Sequence, residues 1–277
     1  MQKLEFVAEI DGKLVKAIID KLPAFSRHEV ERLLDNKDIK LNQTRPKEDA
    51  DIKAGDKITV YYKDKQNREW YEQVFVDDNV LIVNKHAGIE VVSESERDLL
   101  SIVKQEYPQA VAVHRLDRNT EGLVIFALNS MAEKELNSAF KTRKGIIKKY
   151  ALLVHGRVNI EKIKRTVYLK KVNNLSKVWI SEVKTSGYDQ IITEFSVLQY
   201  LGDRTLLEAN LITGKTHQIR AHIAYFGHPI VGDNKYGKDD EKVMHLTAYF
   251  LAFNFDKKTK LNYLNKQNFE ISPSWNY

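Results

Sequence analysis

Cysteine is absent from this 277-residue chain. That excludes disulfides, iron–sulfur clusters and any zinc site built on thiolates. Long apolar runs are absent too: nothing approaches the roughly 18 consecutive apolar residues of a membrane-spanning helix. The opening residues Met1-Gln2-Lys3-Leu4-Glu5-Phe6 lack the apolar core of a secretion signal. The expectation is a cytoplasmic protein with no membrane association. The signatures of nucleotide cofactors are missing as well. No G-x-G-x-x-G occurs among the twelve glycines, so a Rossmann site has no support. Leu211-Ile212-Thr213-Gly214-Lys215-Thr216 ends like a phosphate-binding P-loop, but the glycine needed five positions before Gly214 is Ala209. His217, His222 and His228 are five and six positions apart, not the i, i+4 spacing of a helical zinc pair. No metal site and no cofactor are expected.

What is present is the composition of a folded protein, 43% hydrophobic and 30% charged. The net charge of +6 favours anionic partners. Residues 1–62 carry 12 basic and 12 acidic side chains, so the whole surplus lies in residues 63–277. In the first of these regions Leu14, Val15, Ile18, Ile19 and Leu22 recur with helical spacing until Pro23 interrupts them. A second helix opens with a capping box, Ser26-Arg27-His28-Glu29, and buries Val30, Leu33 and Leu34. Short strands follow around Ile39 and Leu41 and around Ile58 and Val60, with an Ala54-Gly55-Asp56 turn between. The organisation expected is a compact unit over 1–62, a charged linker over 63–73 and a larger α+β domain over 74–277. In that domain Val80–Val83 and Tyr150–Val154 read as buried strands, Met131 to Phe140 as helix, and 165–213 as several alternating strands. A helix with Ile219, Ile223 and Phe226 on one side follows Gly214.

The most informative stretch is Val113-His114-Arg115-Leu116-Asp117-Arg118-Asn119-Thr120-Glu121-Gly122-Leu123-Val124-Ile125-Phe126. It sets the carboxylate of Asp117 between two arginines, in a turn followed by a buried strand. Asp117 is either a turn-former bonding its own backbone or a nucleophile or base aimed at a polar substrate. Arg220 is either a surface arginine or the ion-pair partner that keeps Asp117 anionic in a partly dry pocket. Tyr150, following Lys148-Lys149 at the head of an apolar strand, is either a core residue or a face for stacking a base.

The block His114-Arg115-Leu116-Asp117-Arg118-Asn119-Thr120-Glu121-Gly122-Leu123 resembles the signature of the RluA-type RNA pseudouridine synthases. Three further blocks agree with that family in order and spacing: Val83 to Gly88, Lys149 to Leu152, and Thr213 to Arg220 continuing through His228–Gly237. Residues 1–62 are similar to the small S4-type RNA-binding domain that often precedes this catalytic domain, through Ser26-Arg27, Leu33-Leu34, Ile39–Asn42 and Gly55-Asp56.

The resemblance implies a mixed, mainly antiparallel sheet and a cofactor-free isomerase that detaches a uridine base, rotates it and rejoins it through carbon. It gives Asp117 the catalytic role, Tyr150 base stacking and Arg220 the pairing with Asp117. Arg115 takes the space vacated by the flipped nucleotide or holds its phosphate. Arg27, Arg32 and Lys40 are the RNA-binding candidates of the small unit. The implied partner is RNA, ribosomal before transfer RNA, acted on by a monomer. A non-catalytic RNA-binding or assembly factor is the rival reading. The chain departs from the family pattern at His86, where proline is usual, and at Glu121, where serine is usual. It departs again at Leu246-Thr247-Ala248, where a leucine-histidine-alanine block is usual and the histidine is instead His245.

Overall fold

A computed structural model describes residues 2–22, 25, 27–62, 70–93, 97–159, 162–172, 177–237 and 241–276. The chain divides into two compact units, Met1–Glu69 and Trp70–Tyr277.

The first unit holds strand β1 (Gln2–Val7), strand β2 (Gly12–Lys13), helices α1 (Leu14–Lys21) and α2 (Arg27–Asp35), and strands β3 (Ile39–Leu41), β4 (Asp51–Ile52) and β5 (Lys57–Tyr62). The three longer strands form an antiparallel sheet in the order β1-β5-β3, and β2 pairs with β4. Leu14, Val15 and Ile18 from α1, Val30 and Leu34 from α2, and Ile39, Ile58 and Val60 from the sheet close one small core. The opening strand was not among the expected elements. It pairs with β5 over its whole length, from Gln2↔Tyr62 to Val7↔Lys57. Lys3, Glu5 and Val7 are exposed while Leu4, Phe6 and Ala8 turn inward, the alternation of a strand with one wet face. The expected capping box at Ser26 lies outside the described residues.

The second unit is built on one large sheet. Its elements are β6 (Tyr71–Val76), β7 (Val80–Lys85), α3 (Leu99–Glu106), β8 (Val111–Ala112), β9 (Glu121–Ala127), α4 (Ser130–Thr142) and β10 (Ile146–His155). They continue with β11 (Lys162–Val172), β12 (Lys177–Ser181), β13 (Asp189–Leu201), β14 (Arg204–Leu211), α5 (Gln218–Tyr225), β15 (Leu246–Phe253), a 3-10 turn over Lys260–Lys266, and β16 (Asn268–Glu270). The main path runs β12-β11-β13-β14-β10-β15-β9-β7-β6, with β8 beside β9 and β16 beside β15. Among the described residues all its pairings are antiparallel except one. β9 and β15 run parallel through Thr247↔Glu121 and Ala248↔Gly122, joining the two halves of the sheet.

Tyr71, Glu72 and Gln73, expected in the linker, belong to β6 and pair with β7 from Tyr71↔Lys85 onward. They look like linker because β6 is an edge strand, and a half-wet edge carries the polar residues of a loop. The rest of the expected linker, 63–69, lies outside the described residues.

Val80–Val83 of β7 and Leu123–Ala127 of β9 form continuous apolar runs because both faces of the sheet are covered there. Leu81 and Val83 of β7 and Val124 and Phe126 of β9 pack on one side with Leu99, Val103, Ile219 and Ile223 from α3 and α5. Val80, Ile82, Leu123, Ile125 and Ala127 pack on the other with Ala132 and Leu136 of α4 and with Leu261 and Leu264. Helix α3 was not expected. It begins with a capping box in which Asp98 accepts from the Ser101 amide at 2.7 Å and the Ser101 hydroxyl accepts from the Asp98 amide at 3.0 Å.

Candidate active site

The turn before β9 is fixed from several sides. Thr120 N–H donates to Asp117 O at 3.1 Å. Gly88 N–H donates to Arg118 O at 2.8 Å, and Arg118 Nε returns a bond to Gly88 O at 3.0 Å. Behind them the fully buried Lys85 donates to three carbonyls, those of Ile89 at 2.9 Å, His86 at 3.0 Å and Arg118 at 3.2 Å. Burial pulls its pKa down to about 7 while Asp117, Glu121 and Glu90 pull upward. Three acceptors match the three donors of an ammonium. Gly122 lets β9 lie against β15: its φ is +119°, and a Cβ there would stand 2.4 Å from the Ala248 carbonyl oxygen.

From this turn the side chain of Asp117, 19% exposed, faces a cleft of about 670 Å³. The cleft lies between that turn, the end of α4, the first half of β10, the end of β14 and the start of α5. Arg220, on the first turn of α5, is 7% exposed. Its Nη1 donates to Asp117 Oδ2 at 3.0 Å. The other two arms grip Asp233: Nε to Oδ2 and Nη2 to Oδ1, each at 2.8 Å. Asp233, 1% exposed, also accepts the backbone amides of Lys235 at 3.0 Å and Tyr236 at 3.3 Å. Burial opposes both charges. The Asp233 bonds and the charge of Asp117 raise Arg220 above its usual range all the same, and the Arg220 bonds hold Asp233 below its own. The guanidinium is thus oriented by one carboxylate and presented to the other.

His217 caps α5 in a left-handed conformation, φ 55°, with Nε2 3.8 Å from Asp117 Oδ2. Its Nδ1 is 2.8 Å from the Tyr236 hydroxyl, which accepts the Val178 amide at 2.9 Å. Tyr236 thus ties His217 to the backbone of Val178 and holds its ring beside Asp117. Burial lowers the pKa of His217 although Asp117 opposes it.

Tyr150 is 6% exposed and lines the cleft. Burial, with Asp117 adding to it, raises its pKa well above the ordinary phenol range, so it is a neutral flat face at any physiological pH. Arg115 is exposed and also lines the cleft. The structure therefore gathers Asp117, Arg220, Tyr150 and Arg115 around one space, with Asp117 and Arg220 103 positions apart in sequence.

Arg27, Arg32 and Lys40 belong to the other unit. Arg27 pairs with Glu31 at 2.9 Å and Asp49 at 3.4 Å, Arg32 is exposed, and Lys40 Nζ lies 5.6 Å from the Tyr61 ring centroid. Sequence reasoning missed Asp233, His217, Tyr236, His114 and Lys148. The signal for Asp233 and Tyr236 was the block His228–Gly237, which carried the resemblance without a role for either residue.

Residues 79–225 match the family described as RNA pseudouridylate synthase. A Mycoplasma capricolum protein named "Uncharacterized RNA pseudouridine synthase" is 32% identical over 267 residues, 87% of each chain. The chain belongs to the RNA pseudouridylate synthase family. Another relative of this pseudouridine synthase, "Ribosomal large subunit pseudouridine synthase C" of Vibrio cholerae, is 32% identical over 80% of this chain and 75% of its own. The "Dual-specificity RNA pseudouridine synthase RluA" of Escherichia coli is 31% identical over 63% of this chain and 81% of its own. Among solved structures, human RNA pseudouridylate synthase domain containing 1 shares the fold at TM-score 0.58 and 24% identity, over 74% of this chain and 91% of that one.

Two of the chain's departures from the family pattern meet in space. Glu121, buried, accepts from the Thr247 hydroxyl at 2.7 Å and from the Ser274 amide at 2.9 Å. Thr247 Oγ1 accepts from Trp275 Nε1 at 2.8 Å, and the Trp275 indole stacks on His245 with centroids 4.9 Å apart and planes at 5°. Glu121, Thr247 and His245 thus form one buried polar cluster with Ser274 and Trp275. The third departure, His86, lies apart, its Nε2 3.6 Å from Glu72 Oε1.

Proposed function

We propose that this pseudouridine synthase isomerises uridines in ribosomal RNA, with Asp117 as its catalytic carboxylate. The observation that carries the reading is the ion pair of Asp117 with an Arg220 that Asp233 holds in place, at a cleft large enough for a flipped nucleotide and floored by Tyr150. Arg220 holds the Asp117 carboxylate in place through a charge-assisted hydrogen bond of 3.0 Å. Asp117 attacks or deprotonates the ribose as the base detaches, and Tyr150 stacks the uracil while it turns. Flipping a base out of its stack costs a few kcal/mol. Stacking at about 1–3 kcal/mol per base and phosphate contacts from Arg115 offset that cost.

The small unit, with Arg27, Arg32 and Lys40, adds an S4-like RNA grip. The protein works as a monomer in the cytoplasm. The resemblance of the large subunit enzyme from Vibrio cholerae favours ribosomal RNA, and that of the dual-specificity enzyme from Escherichia coli keeps transfer RNA as the second substrate to be tested.

The experiment is pseudouridine mapping on ribosomal and transfer RNA from cells with and without this protein, joined to assays of the pure protein. Sites should vanish from ribosomal RNA in its absence. Asp117→Ala should form no pseudouridine yet bind RNA nearly as well, because affinity rests on backbone contacts. Full turnover by that variant would overturn the assignment.

A further inference from the structure

Lys85 is fully buried and Lys148 half-buried, and their neighbours favour opposite charge states in the two. Lys85 faces three carbonyls. Lys148, half-buried on β10, faces the ring of His114, with Nζ 3.2 Å from Nδ1. The other ring nitrogen, Nε2, accepts the Ile125 amide at 3.0 Å, and Phe140 stacks on the ring at 4.5 Å. An imidazole that accepts at Nε2 is neutral and carries its one proton on Nδ1. The nitrogen that faces Lys148 is therefore an N–H, and a charged lysine finds no acceptor on this ring.

The surroundings agree. Burial, and then the cation of Arg143, lower the pKa of Lys148 to about 7, and burial and Lys148 lower that of His114. Arg143 is fixed beside them: its Nη2 donates to Gly214 O at 3.1 Å, and a Cβ on Gly214 would stand 2.4 Å from that nitrogen. The other charged groups nearby are committed elsewhere. Asp117 pairs with Arg220 at 3.0 Å, Lys215 with Asp189 at 2.8 Å and Lys149 with Glu208 at 3.1 Å. Tyr150, whose centroid is 5.4 Å from Lys148 Nζ, is neutral.

We propose that Lys148, backed by His114 and flanked by Arg143, forms a phosphate-binding site in the cleft that takes up a proton when an RNA phosphodiester enters. The inference rests on the reading of this cleft as an RNA site. Arg143 supplies a fixed charge, and the incoming phosphate supplies the counter-charge that Lys148 lacks. The pKa of Lys148 then rises, its amine takes a proton from solvent, and it donates to a phosphate oxygen. The His114 Nδ1 proton, displaced from the lone pair, has the backbone of Arg115 as its other partner. The complex holds more protons than the free protein, so binding tightens as pH falls. The effect levels off below the free pKa of about 7.

The test is calorimetric titration of the whole protein with a uridine-rich RNA oligomer, in buffers of different ionisation enthalpy. Wild-type protein should take up close to one proton per RNA near pH 8 and almost none near pH 6, given a free pKa of about 7. Its affinity should fall by up to about tenfold per pH unit above pH 7. Lys148→Met should bind more weakly at pH 7 and lose both the uptake and the slope. Lys148→Arg should bind without uptake. RNA binding by the wild type with no proton uptake overturns the proposal, as does unchanged uptake by Lys148→Met. No RNA binding at any pH overturns the RNA reading along with it.

Discussion

At the scale of single residues, the site depends on side chains whose hydrogen-bond partners fix their charge. Asp233 touches the cleft only through Arg220, yet it sets where that guanidinium points. Asp233→Asn keeps the volume and removes the charge opposite Arg220. Breaking a buried ion pair typically costs about 3–5 kcal/mol. The retained amide oxygen should hold the loss on the order of 3 kcal/mol, read as a lower urea midpoint. The turnover number should fall more than RNA affinity does, because Arg220 loses its aim at Asp117. Asp117, Arg115, Arg220 and Tyr150 were legible in the sequence because they stand in motif blocks. The charge states of Lys85 and Lys148 were not. Both are lysines at the ends of apolar runs, and only the third dimension shows that one faces oxygens and the other an N–H.

At the scale of elements, β9 decides whether the Asp117 turn meets the rest of the site. Its apolar run was readable because both faces of the strand are covered. Its neighbour was not, since the parallel pairing with β15 joins residues 126 positions apart, beyond the reach of local pattern. Edge strands β1 and β6 escaped for the opposite reason: half of each faces water, so charged residues interrupt the signal. Gly122→Ala tests the close approach. The added Cβ would meet backbone that cannot swing aside, in a conformation that side chains rarely adopt. A loss on the order of 3 kcal/mol lowers the melting temperature of a unit this size by about 6–12 °C. Pseudouridine formation should drop in parallel as the turn shifts. A variant melting within a degree of wild type would show that β15 yields.

At the scale of the whole molecule, pH should act on stability through His222. This residue is fully buried, with Nδ1 3.0 Å from Thr193 Oγ1 and, among the described residues, no hydrogen-bond partner at Nε2. Burial, and then Arg165, depress its pKa from 6.5 to about 4. The unfolded chain therefore binds a proton between pH 6.5 and 4 that the folded chain refuses, and stability falls as pH drops through that window. About 2.5 units correspond to roughly 3 kcal/mol. His222→Phe should flatten that part of the stability curve in urea titrations at stepped pH, and an unchanged slope would assign it to other groups. The small unit was visible as a separate block in its balanced charge. The RNA grip proposed for it is tested by comparing Arg32→Ala with wild type at rising salt: losing one phosphate contact lowers the salt slope by about 1, and an unchanged slope would remove Arg32 from the RNA contact.

The lone parallel seam between β9 and β15 also carries a consequence for how the protein comes into being. Asp117 precedes one strand of that seam, and Arg220 precedes the other by a long excursion through α5. Neither half of the sheet alone contains both charges. A chain in which β9 and β15 have not met thus lacks the Asp117–Arg220 ion pair and the cleft around it.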